Sequence, residues 1–282
     1  SFTMNSDITI KSGNVSQYDG KTLTGTSNSG YTLTIDGTTV NLTISGLDFT
    51  GGNAGTIVLK NGAVLNLTLQ GSNRLEGGGS TAGITVPEGC SLTIGGTDAD
   101  SLKVLGGSGG AGIGANYYVG SAVSGDPNTV GTITINGGNI TAIGYGGGAG
   151  IGGTLACNTG HVIINNGIVT ATGGQSLTIG DPAGIGGGNG GYLESITING
   201  GTVTATSPMA AAGIGAGYFG QSPASCGDIR INGGTVKNTV IGYGSGSYQG
   251  GGSITIGENA DLPGCAVRPL PADYASYTFQ GT

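Results

Sequence analysis

The stretch TITINGGNITAI, Thr132–Ile143, returns as HVIINNGIVTAT from His161, SITINGGTVTAT from Ser195 and DIRINGGTVKNT from Asp228. Each copy reads as strand, corner, strand. Apolar residues alternate with Thr or Ser on both sides of the corner, which is the period of a half-buried strand. In Ile133-Thr134-Ile135 the two isoleucines point one way and the threonine the other. A second unit, A-G-I-G, alternates with the first at Ala111, Ala149, Ala183 and Ala212. It shortens to AGIT at Ala82 and diverges to VIGY at Val240.

Three short apolar segments per repeat, with no helical period between them, make a solenoid coil. One coil alone cannot bury its apolar face, so stacked neighbours close the core between them. The expected fold is all-β: a single-stranded right-handed parallel β-helix, its hand taken from precedent. The last apolar residue of the middle strand falls at Ile44, Leu69, Ile94, Ile135, Ile164, Ile198, Ile231 and Ile256, at intervals of 25 to 41 residues. About eight coils at ~4.8 Å each predict a rod of roughly 38 Å. Inward residues are expected at Ile133, Ile135, Ile164, Ile196, Ile198, Val203, Ile229 and Ile231, with Ile113, Ile151, Ile185 and Ile214 from the A-G-I segment. The chain reads as one domain: an N-terminal cap over 1–21, coils over 22–259 and a C-terminal cap over 260–282. Pro263, Pro269 and Pro271 would end strand pairing in the last segment.

Glycine accounts for 65 of the 282 residues. Corners between short strands need positive φ, which glycine adopts without strain. Small residues around A-G-I would let that wall lie close to the others. The asparagines before the corner, Asn136, Asn165, Asn199 and Asn232, are expected to stack as a hydrogen-bonded amide ladder. No every-third glycine spacing occurs, which excludes collagen. The formal charge is −7 and no basic run occurs, which excludes a nucleic-acid backbone as partner. An anionic glycan would be repelled too, unless a metal ion bridged the two. No stretch of 18 apolar residues exists, so no membrane span is expected. Cys90, Cys157, Cys226 and Cys265 form no C-x-x-C pair and read as free, buried thiols.

Function must lie in residues that break the glycine pattern. Loops after the A-G-I segment carry Tyr117, Tyr118, Tyr192, Tyr218, Phe219 and Tyr248, which should line one edge of the rod. Glu194, Asp228, Asn116, Gln221 and Gln249 supply polar groups nearby. An aromatic face beside hydrogen-bonding groups suits a sugar ring. The competing reading is that each tyrosine packs its own loop. The outward column Thr43, Thr68, Thr93, Thr134, Ile163, Thr197, Arg230 and Thr255 is too broken for an ice-binding lattice.

Catalytic and metal readings are weaker. Asp98-Ala99-Asp100 can bind Ca²⁺ or form an acid/base pair, but a polar turn explains it better. Apart from that Ca²⁺, no cofactor is expected. Asp126-Pro127 and Asp181-Pro182 read as turn starts. Glu194 and Asp228 are the pair an enzyme would use, against a surface ion pair of Asp228 with Arg230. His161 reads as a lone sheet-surface residue. The glycine-rich stretches lead into no helix and contain no G-K-[ST], so they are not phosphate loops.

With the frames T-I-T-I-N-G-G-x-V-T-A-T and G-A-G-I-G-G, the chain resembles glycine-rich right-handed parallel β-helix modules of bacterial surface and secreted proteins, from about Asp7 to Ile256. Such modules are labelled carbohydrate-binding or adhesin-like. The resemblance implies a secreted or cell-surface protein without catalysis that contacts a polysaccharide or a host glycan. A mature protein, or a module cut from a larger multidomain surface protein, is expected. The pectate-lyase type, with Asp calcium ligands and an Arg base, is not matched. Of the polygalacturonase motifs only Gly160-His161-Val162 stands near G-H-G. Two other classes stay open: a polysaccharide lyase or hydrolase, and a structural spacer.

Overall fold

The computed structural model describes residues 1–117, 129–175, 180–208, 211–218, 226–243 and 252–268, with the backbone of 277–279. The chain is a parallel β-helix. Among the described residues one sheet has 10 strands, running from Ile8–Ile10 through the A-G-I segments to Ala266–Arg268. The second, of 15 strands, folds over to form the other two walls. Cys226–Lys237 belongs to both of these walls, pairing with Leu193–Ile198 through its first half and with Thr202–Thr206 through its second. All twelve residues expected to point inward are fully buried.

Two glycine roles recur. At the corner after the asparagine, Gly138, Gly167, Gly201 and Gly234 have φ of 95°, 100°, 81° and 83°, a region other residues avoid. In the A-G-I wall the demand is space. A Cβ on Gly150 would lie 2.6 Å from Thr172 N and 2.8 Å from Ala142 O, so the wall packs directly on the V-T-A strand. The wall is also pinched: Ala111 N–H donates to Ala115 O at 3.0 Å, and Ala149 N–H to Gly153 O at 2.8 Å. The chain therefore enters and leaves each A-G-I turn side by side, placing the loops on both flanks of a narrow ridge.

The amide ladder is present. Asn165 Nδ2 donates to Asn136 Oδ1 at 2.8 Å, Asn199 to Asn165 at 2.7 Å and Asn232 to Asn199 at 2.7 Å. Among the described residues the four cysteines form no disulfide; Cys90, Cys157 and Cys226 are buried as expected, whereas Cys265, near the C-terminal end of the rod, is only half-buried. Burial pushes the Cys226 thiol up to about 12, so it stays protonated and unreactive at neutral pH.

One expectation needs correction. Ile94 pairs with Leu67 rather than Leu69. A slip of two residues keeps every side chain on its own face, so alternation alone cannot detect it. The segments expected as caps also carry strands. Ile8–Ile10 pairs with Leu33–Asp36, Ala266–Arg268 with Val240–Gly242, and Tyr277–Phe279 with Ile254–Asp261. Each presents only about three residues to its neighbour, too few to register as a repeat.

Candidate functional site

The outward column of the middle wall runs Ser91, Thr132, His161, Ser195, Asp228, one residue per stacked strand. Their inward neighbours Leu92, Ile133, Val162, Ile196 and Ile229 are buried, which fixes the outward direction. Just upstream lies a column of glycines, Gly131, Gly160 and Gly227, broken by Glu194. Glycine is required there because a Cβ on Gly160 would meet Val130 O at 2.4 Å. Beside this column is a depression of about 230 Å³, lined by Glu88, Ser91, Thr132, His161 and Glu194 with Gly131 and Gly160.

His161 is not alone, contrary to the reading of an isolated surface imidazole. Its Nε2 lies 3.5 Å from Glu194 Oε2, and its Nδ1 shares a 2.8 Å hydrogen bond with the Ser195 hydroxyl. Glu194 and His161 are 33 positions apart in sequence but one strand apart in space. Only the strand register, His161 opposite Ser195, brings them together.

Tyr192 stands at the same edge, 40% exposed. Its backbone is clamped: its N–H donates to Asn158 Oδ1 at 3.0 Å, and its carbonyl accepts from Thr159 N–H at 2.7 Å. Partial burial, and then the Glu194 charge, push its phenol above the usual value.

The other aromatics divide. Tyr117 is half-buried and packs against a glycine, since a Cβ on Gly109 would lie 2.5 Å from its Cγ. Tyr218 is half-buried and its backbone pairs both ways with Asp181, at 2.7 and 3.0 Å. Tyr118, Phe219 and Tyr248, with Gln221 and Gln249, lie outside the described residues. Asn116 Oδ1 accepts from Ala82 N–H and the Thr85 hydroxyl, both at 2.8 Å, and so holds the ridge. Tyr145, 63% exposed, was not singled out by sequence reasoning; it sits on the opposite flank, ahead of A-G-I. Its signal was an aromatic set between glycines.

The acidic candidates are mostly structural. Asp228 Oδ1 accepts the Ser253 N–H and hydroxyl, both at 2.9 Å, and Oδ2 pairs with Arg230. Asp100 accepts from Gly71 N–H at 2.8 Å and from Thr97 N–H and hydroxyl at 3.0 and 2.7 Å, which makes D-A-D a turn. Among the described residues no group of three or more His, Cys, Asp or Glu is placed to hold a metal ion.

These bonds give a pH prediction. Asp228 is held below its ordinary value, first by the Ser253 N–H; Asp19 likewise by Asn41 N–H, and Asp100 by the Thr97 hydroxyl and then Gly71 N–H. A lowered carboxylate contributes stability above its unfolded value and loses it as pH falls through the folded one. Thermal melts are therefore expected to stay level from pH 7 towards 5 and to drop below about pH 4. A melting temperature unchanged down to pH 2 would contradict this.

A family model described as beta helix repeat matches residues 133–154, 162–189 and 196–218. Comparison with curated proteins and with solved structures gave no match. The chain is thus a parallel β-helix module built from β-helix repeats. No helix among the described residues is long and apolar enough to cross a membrane.

Proposed function

We propose that this β-helix is an extracellular carbohydrate-binding or adhesin-like module, and that a glycan lies along the edge formed by Tyr192, Glu194, His161 and Glu88. The observation that carries this reading is the exposed Tyr192 ring, fixed by its backbone beside a polar depression. A pyranose would stack its C–H face on the tyrosine and direct hydroxyls to Glu194, His161 and Thr132. The depression reaches from the strand of Ser91 to that of Ser195, roughly 14 Å at ~4.8 Å per strand, which suits an oligosaccharide over a single sugar. Negative charge at Glu88 and Glu194 favours neutral glycans over uronates or sulfated chains. Placement within a larger surface protein belongs to the same proposal.

Glycan-array screening followed by calorimetry tests it. Tyr192→Ala is expected to weaken binding at least tenfold, and Glu194→Gln several-fold. Tyr117→Phe, in a packed loop, should bind normally. Failure of every glycan to bind, or unchanged affinity in Tyr192→Ala, would remove the proposal.

A hydrolase or lyase reading finds one supporting observation, the pairing of His161 with Glu194. Asp228 is a poor partner for it, because both its oxygens are engaged. Turnover of pectin, alginate or xylan, abolished in Glu194→Gln, would make this reading the better one.

A further inference from the structure

We propose that the buried corner around Asn189 holds a divalent cation of the calcium type. Asn189 is 0% exposed, and among the described residues neither its Oδ1 nor its Nδ2 has a hydrogen-bond partner. A buried amide left in this state destabilises the fold, because each unmet group has lost its water without gaining a partner. The loop does not let it escape. The Asn189 carbonyl accepts Ala156 N–H at 2.8 Å, and Ala156 is itself held at φ 54°, a conformation non-glycine residues avoid.

Oxygen donors gather around that amide. The position of a Cβ on Gly180 is 2.5 Å from Tyr218 O and 2.8 Å from both polar atoms of Asn189. Gly180 has φ +85° and no side chain, which lets the Tyr218 carbonyl and the Asn189 amide approach its backbone closely. The next residue in the chain, Asp181, is an acidic residue buried to 4% exposure. Its backbone is tied to Tyr218 by paired hydrogen bonds. A carboxylate, a side-chain amide and a main-chain carbonyl are the hard, mixed oxygen set that calcium accepts. With one carboxylate only, such a site escapes any search for clustered acids.

The cation would tie three pieces of chain: Gly180–Asp181 before Ile185, Asn189 after it, and Tyr218 after Ile214. It would thereby brace the ridge three residues ahead of Tyr192. It does not depend on the glycan proposal, since the ion can be measured with no sugar present.

The test is calorimetry with CaCl₂ on chelator-stripped protein, terbium luminescence sensitised by tyrosine, and thermal melts in Ca²⁺ against EDTA. A dissociation constant on the order of 0.1–1 mM is expected, as in extracellular calcium modules, with a higher melting temperature in Ca²⁺. Asn189→Ala should weaken Ca²⁺ binding at least tenfold. Asn189→Asp should retain it, and should widen the gap between melts in Ca²⁺ and in EDTA. This second variant keeps the test sharp if Asn189→Ala folds poorly. No calorimetric heat and no terbium signal up to 10 mM (on the order of ten times the weakest expected constant) would overturn the proposal, as would wild-type Ca²⁺ affinity in folded Asn189→Ala and Asp181→Asn.

Discussion

Gly184→Val is expected to destabilise the module by at least ~4 kcal/mol, the range reached only by severe core defects. The glycine of A-G-I does not serve a turn here; its φ is not in the left-handed region. It serves the contact between two walls. A Cβ on Gly184 would lie 2.6 Å from Thr206 N, 2.8 Å from Ala171 O and 2.8 Å from Gly213 O. All three are backbone atoms held by the sheets, so none can give way alone. The same triangle recurs at Gly150, against Thr172 N, Ala142 O and Gly184 O, so strain at one coil passes to the next. At ~2–4 °C per kcal/mol for a domain approaching this size, the melting temperature should fall by roughly 10 °C or more. Gly95→Ala is the control: nothing lies within 4 Å of its Cβ position, so its melt should stay near that of the wild type. If Gly184→Ala melts within experimental error of the wild type, the walls are not in the contact described.

Why that glycine was legible, while the candidate edge was only partly so, follows from what a repeat encodes. Residues that meet their own copies one coil away must recur, and recurrence is visible in sequence. Ile113, Ile151, Ile185 and Ile214 stack on one another, and so do the ladder asparagines. Contacts that occur once leave no such trace. His161 meets Glu194 because strand register sets one beside the other, yet neither residue repeats. Tyr117 and Tyr218 share a spacing of four residues after the A-G-I isoleucine, which suggested a common exposed edge. Tyr117 lies against Gly109 and the Tyr218 backbone pairs with Asp181, so the two are only half-exposed. Tyr192, seven residues beyond Ile185, clears the ridge and stays exposed. The two-residue slip at Ile94 escaped for the opposite reason: it preserves the pattern that was being followed.

Asn73→Val is expected to cost ~3 kcal/mol, although the sequence pattern would favour valine there. Asn73 pairs with Leu102, and that column continues inward through Ile140, Val169 and Val203, all buried. By alternation it is a core position, and Asn73 is only 4% exposed. The asparagine is nonetheless fully used. Its Oδ1 accepts Leu47 N–H at 3.0 Å from the coil on one side. Its Nδ2 donates to Ser101 O at 3.2 Å on the other side, and to Gln70 O at 3.2 Å in its own turn. Valine would leave a buried N–H and buried carbonyls unmet, and each such group costs more than an added methyl returns. The contrast with Asn189 is instructive: one buried amide has its capacity met within the protein, and the other does not. Urea melts should show a lower midpoint with an unchanged slope for Asn73→Val, because the exposed area on unfolding is the same. A midpoint equal to or above that of the wild type would mean that apolar patterning outweighs the amide bonds at this corner.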